Sequence, residues 1–98
     1  MPKGPVDGLP MQGIIDRLVI RDNQVLAIDY KSNAVVPETP EHVPEGLLRQ
    51  MGAYRAMLAQ LYPDHQIDVA LLWTRSATLM TLPAPLVEAA LLRANTNQ

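Results

Sequence analysis

The stretch Val25-Leu26-Ala27-Ile28-Asp29-Tyr30-Lys31 decides how this chain is read. Its aliphatic, partly β-branched residues predict a β-strand. Side chains alternate along a strand, so Asp29 and Lys31 project to the same face. An acid beside a base at the end of an apolar strand is costly, because a hydrophobic pair there would be more stable. A core strand has no use for such a pair, whereas a reactive site does.

Working back from that strand, residues 11–21 predict a partner strand. Gln12, Ile14, Asp16, Leu18 and Ile20 fall on one face, and Ile14, Ile15, Val19 and Ile20 supply the β-branched side chains. Between the two strands stands Asp22-Asn23, a pair that tolerates the backbone of a tight turn. A two-residue turn pairs Arg21 with Gln24, and the same register sets Asp16 opposite Asp29. Facing carboxylates repel across an antiparallel pair. Arg17 or Lys31 can neutralise them, or a divalent cation can sit between them. Magnesium takes one or two carboxylates together with waters and phosphate oxygens. Asp16 alone reads as an ordinary surface acid. Asp16, Asp29 and Lys31 in facing register favour the metal, and with it a site of the phosphodiester-cleaving kind.

Working forward, residues 32–46 form a long loop stiffened by Pro37, Pro40 and Pro44, and loops of this length are usually functional or mobile. Its Glu38, Glu41 and Glu45 read as solvated, and His42 as exposed and incidental. Residues 45–62 predict the main helix, with Leu47, Met51, Tyr54, Leu58 and Leu61 as its buried stripe. Glu45 and Arg49 are spaced as a favourable pair, Pro44 suits the start, and Pro63 ends it. Gln50 and Tyr54 lie one turn apart on one face. Residues 64–66 predict a turn with His65 exposed. Residues 67–74 are a continuous apolar run, typical of a strand covered on both faces. A short strand over 78–82 and a helix over 86–94 follow, the latter with Leu86, Ala89, Ala90 and Leu92 as its apolar positions. The order is hairpin, helix, strand, strand, helix, an α/β chain with a mixed sheet, whose crossover from 24–31 to 67–74 should be right-handed if those strands are parallel.

The totals narrow the function classes. Ninety-eight residues make one small domain with a limited core. The net charge of −2 supplies no global basic field, which weighs against a dedicated high-affinity DNA-binding domain. There is no cysteine, hence no disulfide framework and no thiolate metal site, as suits a cytoplasmic protein. No apolar run approaches the roughly 20 residues of a membrane span, so no membrane partner is expected. The Pro/Gly-rich start running straight into a strand suggests a piece of a longer protein. The expected organisation is a leader over 1–12, the domain over 13–94 and a disordered tail over 95–98.

Taken together, Gly13-Ile-Ile-Asp16-Arg17, then Asp29-Tyr30-Lys31-Ser32-Asn33, then Gln50-x-x-x-Tyr54 resemble the three successive motifs of the RecB-like nucleases of the PD-(D/E)xK superfamily. The flanking Val-Leu-Ala-Ile-Asp-Tyr-Lys-Ser-Asn, Leu-Arg-Gln-Met-Gly-Ala-Tyr and Ala-Leu-Leu-Trp-Thr look more narrowly like the C-terminal nuclease domain of an AddA-type helicase–nuclease subunit. Asp-x-Lys alone is a weak signal; three motifs in order, on the right elements, are a strong one. The resemblance implies a truncated restriction-endonuclease-like sheet and magnesium-dependent hydrolysis of DNA, with manganese as a substitute. It implies Asp16, Asp29 and the Tyr30 carbonyl as metal ligands. Lys31 would orient or activate the attacking water, and Gln50 and Tyr54 would position DNA or water. The implied partners are DNA and a second helicase–nuclease subunit. The family carries a further ligand, usually His or Glu, on a helix before the first core strand. That helix is missing here, and His42 and His65 both follow Asp29, so neither replaces it. Weak or absent cleavage by this chain alone is therefore expected, and an open sheet edge should favour a homodimer or strand exchange. The competing reading from another class is a catalytically silent interaction or DNA-tracking module. A plainer one makes Asp29 and Lys31 an ordinary ion pair.

Overall fold

The computed structural model describes residues 15–96. Strand β1 (Arg17–Arg21) and strand β2 (Gln24–Lys31) form the hairpin. A 3-10 turn (Pro40–His42) interrupts the loop that follows. Helix α1 (Glu45–Leu61), strands β3 (Gln66–Trp73) and β4 (Thr78–Leu82) and helix α2 (Ala84–Thr96) complete the chain. The sheet order is β1-β2-β3-β4, with β2 and β3 parallel and both outer pairs antiparallel. This is the mixed α/β architecture that the sequence predicts. The hairpin register also agrees: Arg21 pairs with Gln24 and Arg17 with Ile28. Asp22 takes the tight turn with a φ of 50°, a left-handed value that aspartate tolerates better than most residues. Residues 11–14 lie outside the described residues, as does the 1–12 leader, and Ile15 and Asp16 precede the strand rather than belonging to it.

The alternation of β2 and β3 sorts their side chains. Val25, Ala27 and Asp29 are buried on one face with Ile67, Val69, Leu71 and Trp73. Met51, Tyr54 and Leu58 of α1, and Val87 and Ala90 of α2, join them in a single core. The opposite face carries Leu26, Ile28, Tyr30, Leu72 and Leu79, with Tyr30 and Leu79 exposed. Among the described residues no helix covers it. The apolar run of β3 therefore does not have the two covered faces that its composition predicts.

Three helix assignments shift for related reasons. The buried stripe of α1 runs through Leu48, Met51, Gly52, Tyr54 and Leu58. Leu47 stands at its half-buried margin, and Leu61, the last residue of the helix, is exposed. On α2 it is Val87, not Leu92, that packs inward with Ala90. Glu45 takes Arg93 as its hydrogen-bonded partner, through two 2.8 Å bonds donated by the guanidinium, while the Arg49 charge one turn away also favours its carboxylate. Together with Arg55 and Glu88 at 2.6 Å, this pair ties α1 to α2. The two helices pack closely at Gly52, where a Cβ would run into the Val87 carbonyl oxygen.

Candidate active site

The site is built at the C-terminal end of β2. The two-residue turn brings the start of the hairpin back beside that end, and Asp16 Oδ2 accepts a 2.8 Å hydrogen bond from the Tyr30 backbone N–H. This bond fixes an otherwise exposed carboxylate just beyond the last β1–β2 pair. Asp29, on the core face of the strand, is only 6% exposed. It is the sole polar or charged residue buried among the described residues. Lys31 Nζ stands 2.9 Å from Asp29 Oδ2. The ammonium holds that oxygen by hydrogen bonding and by charge attraction together.

Burial pushes the Asp29 carboxyl above its ordinary value of 3.8. Lys31 pulls in the opposite direction, and Asp16 reinforces the rise through its charge and through a hydrogen bond that the two acids share when one is protonated. The hairpin register ends at Arg17 and Ile28, one residue short of the expected Asp16–Asp29 pair, and the two acids still influence each other. Of the two neutralising groups considered, Lys31 serves. Arg17 pairs with Ile28 and points to the opposite face.

Helix α1 supplies the other side. Gln50 Nε2 donates to the Tyr54 hydroxyl at 2.9 Å, one turn along the helix. Tyr54 is fully buried and Gln50 half-buried, so the hydroxyl holds the amide at the rim of the core. Gln50 and Lys31 line one groove, together with Trp73, which pairs directly with Lys31 across the parallel strands. Asp16, Asp29 and Lys31 thus stand at the end of β2, and Gln50, held by Tyr54, shares a groove with Lys31.

Sequence reasoning missed two residues here. Trp73 closes β3 next to Lys31, and its indole Nε1 is buried without a hydrogen-bond partner. His42, read as incidental, lines the same groove, its Nδ1 sharing a 3.0 Å hydrogen bond with Thr39 Oγ1. Tryptophan at the end of an apolar strand was the one available signal. Nothing local marks His42, because only the path of the loop brings it there. His65, expected to be exposed, is half-buried against the edge of the Tyr62 ring, with centroids 5.3 Å apart, and is remote from the site.

The donor set suits a hard cation. Two carboxylates interact, and the one on Asp29 has a buried oxygen held only by Lys31. Magnesium asks for one or two carboxylates and completes its shell with water and phosphate oxygens. No cluster of three or more His, Cys, Asp or Glu side chains occurs among the described residues.

The chain belongs to the PD-(D/E)XK nuclease superfamily, which it matches over residues 4–95. No curated protein and no solved structure gives a significant match. No helix of the described residues is long and apolar enough to cross a membrane.

Proposed function

We propose that this chain is a magnesium-dependent deoxyribonuclease domain. In this reading it belongs to an AddA-type, ATP-dependent helicase–nuclease that acts in double-strand-break repair and recombination. The observation that carries the nuclease reading is the meeting of Asp16, a buried Asp29 and Lys31 at one strand end. The three motif segments and their flanking text support the narrower parentage. Asp16, Asp29 and the Tyr30 carbonyl would hold the cation, which supplies an activated water and offsets charge on the phosphate. Lys31 places a positive charge where negative charge develops and orients the attacking water. Gln50, held by Tyr54, positions the strand or that water. The test is magnesium-dependent cleavage of linear DNA by the full-length protein. Asp29→Ala and Lys31→Ala are each expected to reduce the rate by about 10³-fold, roughly 4 kcal/mol of barrier. Unchanged cleavage in both variants sinks the reading.

A second reading is favoured by one contact. Lys31 sits on the Asp29 oxygen that a cation would use, as in a silent module built around an ion pair. Manganese binding separates the two without reference to activity. Titration followed by electron paramagnetic resonance should show a bound ion that Asp16→Asn and Asp29→Asn each weaken. Association with a second subunit or a second copy fits the open edges of β1 and β4 and the exposed Leu18, Ile20 and Leu79. Sedimentation velocity should give a dimer at high concentration, and a clean monomer removes that part of the proposal.

A further inference from the structure

Strand β1 is the outer strand of the sheet, and among the described residues nothing pairs with its far edge. Such an edge exposes a row of backbone N–H and C=O groups that another strand can complete. Its side chains fall in two rows. Leu18 and Ile20 pair with Ala27 and Val25, so they lie on the core side of the sheet. They are nonetheless 40% and 46% exposed, whereas Ala27 and Val25 are fully buried. Helix α1 packs on β3 and β2, and the apolar layer beneath it continues into β1 with less cover. Arg17, Val19 and Arg21 lie on the opposite face. Both arginines are exposed, and neither has an ion-pair or hydrogen-bond partner among the described residues. Asp68 shares that face, but it stands two strands away on β3, where its carboxylate accepts a 3.1 Å hydrogen bond from Gln66.

This pattern tells one occupant from another. Arg17-Leu18-Val19-Ile20-Arg21 is symmetric in charge. A second copy paired antiparallel over the whole strand would set each Arg17 directly opposite the other copy's Arg21, and like charges so placed are destabilising. Strand β4, the other outer strand, reads Thr-Leu-Met-Thr-Leu and offers no carboxylate. A foreign strand with acids four residues apart, enclosing three apolar residues, satisfies every position. Its acids meet Arg17 and Arg21, its apolar side chains extend the core beside Leu18 and Ile20, and its backbone completes the edge. The spacing also selects an extended partner. Four residues span roughly 14 Å in a strand but about 6 Å in a helix, so acids one helical turn apart reach only one arginine. We propose that the β1 edge docks an extended segment of a partner protein with the pattern acid, three apolar residues, acid, and that Arg17 and Arg21 bar a second copy from it. The proposal goes beyond the nuclease reading and does not rest on it. A second copy is left the β4 edge.

The full chain, isotope-labelled for amide NMR, is titrated at low salt with a peptide carrying Glu-Val-Ile-Val-Glu between threonines. The comparison peptides carry Lys-Val-Ile-Val-Lys in the same frame, or the acidic sequence with one or the other set of alternate amides N-methylated. Saturable shifts of the β1 amides are expected with the acidic peptide. The lysine peptide should bind about tenfold more weakly, as reversal of two cross-strand charge pairs requires. One methylated set should abolish binding and the other spare it, because only alternate amides of an added strand face the edge. Replacing both arginines, Arg17→Glu with Arg21→Glu, should reverse the preference between the acidic and lysine peptides. Arg21→Glu alone sets opposite charges across the two-fold axis and should tighten self-association about tenfold in sedimentation equilibrium. Both side chains are exposed, so the thermal midpoint should hold. Equal affinity for acidic and lysine peptides overturns the docking site, as does binding that survives both methylated sets or that shifts amides away from β1. Unchanged self-association of Arg21→Glu overturns the bar to a second copy. Cleavage by Asp29→Ala decides the nuclease reading separately.

Discussion

Two sides of one helix follow opposite rules. On one side, α1 closes on α2 at Gly52, with the Val87 carbonyl so near that no side chain fits between, and two guanidinium–carboxylate pairs tie the rims. On the other side, two residues away, Gln50 lines a groove with Lys31 and Trp73. Lys31 pairs there with the buried Asp29, and Trp73 Nε1 has no hydrogen-bond partner. The first seam follows the rule that interiors pack without gaps. The second encloses an acid and its lysine at the edge of the core, where an apolar pair would be more stable. The difference shows where this small domain keeps its stability and where it gives some up.

The larger expected effect lies at the packed seam. Alanine in place of a glycine inside a helix ordinarily gains about 1 kcal/mol. At Gly52 the added methyl meets a backbone atom, which cannot rotate away, so Gly52→Ala should lose about 2 kcal/mol net. The thermal midpoint should fall by roughly 10 °C. Gly46→Ala is the internal control. Its nearest atom is the end of the Arg49 side chain at 3.5 Å, an ordinary contact, and the midpoint should hold or rise slightly. If both variants melt alike, the seam is looser than described.

A smaller effect of opposite sign is expected at the site. Asp29→Asn removes a buried charge and should stabilise the metal-free protein at neutral pH by about 1 kcal/mol. The pH dependence has a definite direction. The folded-state pKa of Asp29 is raised, so its favourable contribution is complete below 3.8 and is lost as pH rises through the folded value. Urea denaturation in EDTA should show wild-type stability falling, relative to Asp29→Asn, above pH 3.8. A difference that grows as pH falls instead would mean that Lys31, not burial, governs this carboxyl.

The local part of this molecule was legible in the sequence. The register of the hairpin follows from a two-residue turn, because Asp22-Asn23 leaves little freedom in how Arg21 meets Gln24. The interaction of Asp16 with Asp29 follows from the same arithmetic. The Gln50–Tyr54 contact follows from helical spacing. What was not legible depends on distant chain. Periodicity cannot separate Leu47 from Leu48 when both border an apolar stripe, and the choice is made by how α1 sits on β3. Glu45 has a plausible partner one turn away, and only the closure of α2 offers it Arg93. Trp73 and His42 enter the groove by way of the crossover and the loop, neither of which has a pattern to read.

The antiparallel hairpin and the parallel β2–β3 pair also differ in when they can form. Hairpins close in about 1–10 microseconds, whereas pairings between distant segments must first close a long loop. Asp16, Asp29 and Lys31 all lie within the hairpin and its immediate flank, but Trp73 arrives only with the crossover. In an exposed hairpin, water would reduce the repulsion of the acids to about 1 kcal/mol at 4 Å. Only β3 and the helices bury Asp29, so the cost of the acid pair belongs to the assembled core and not to the hairpin.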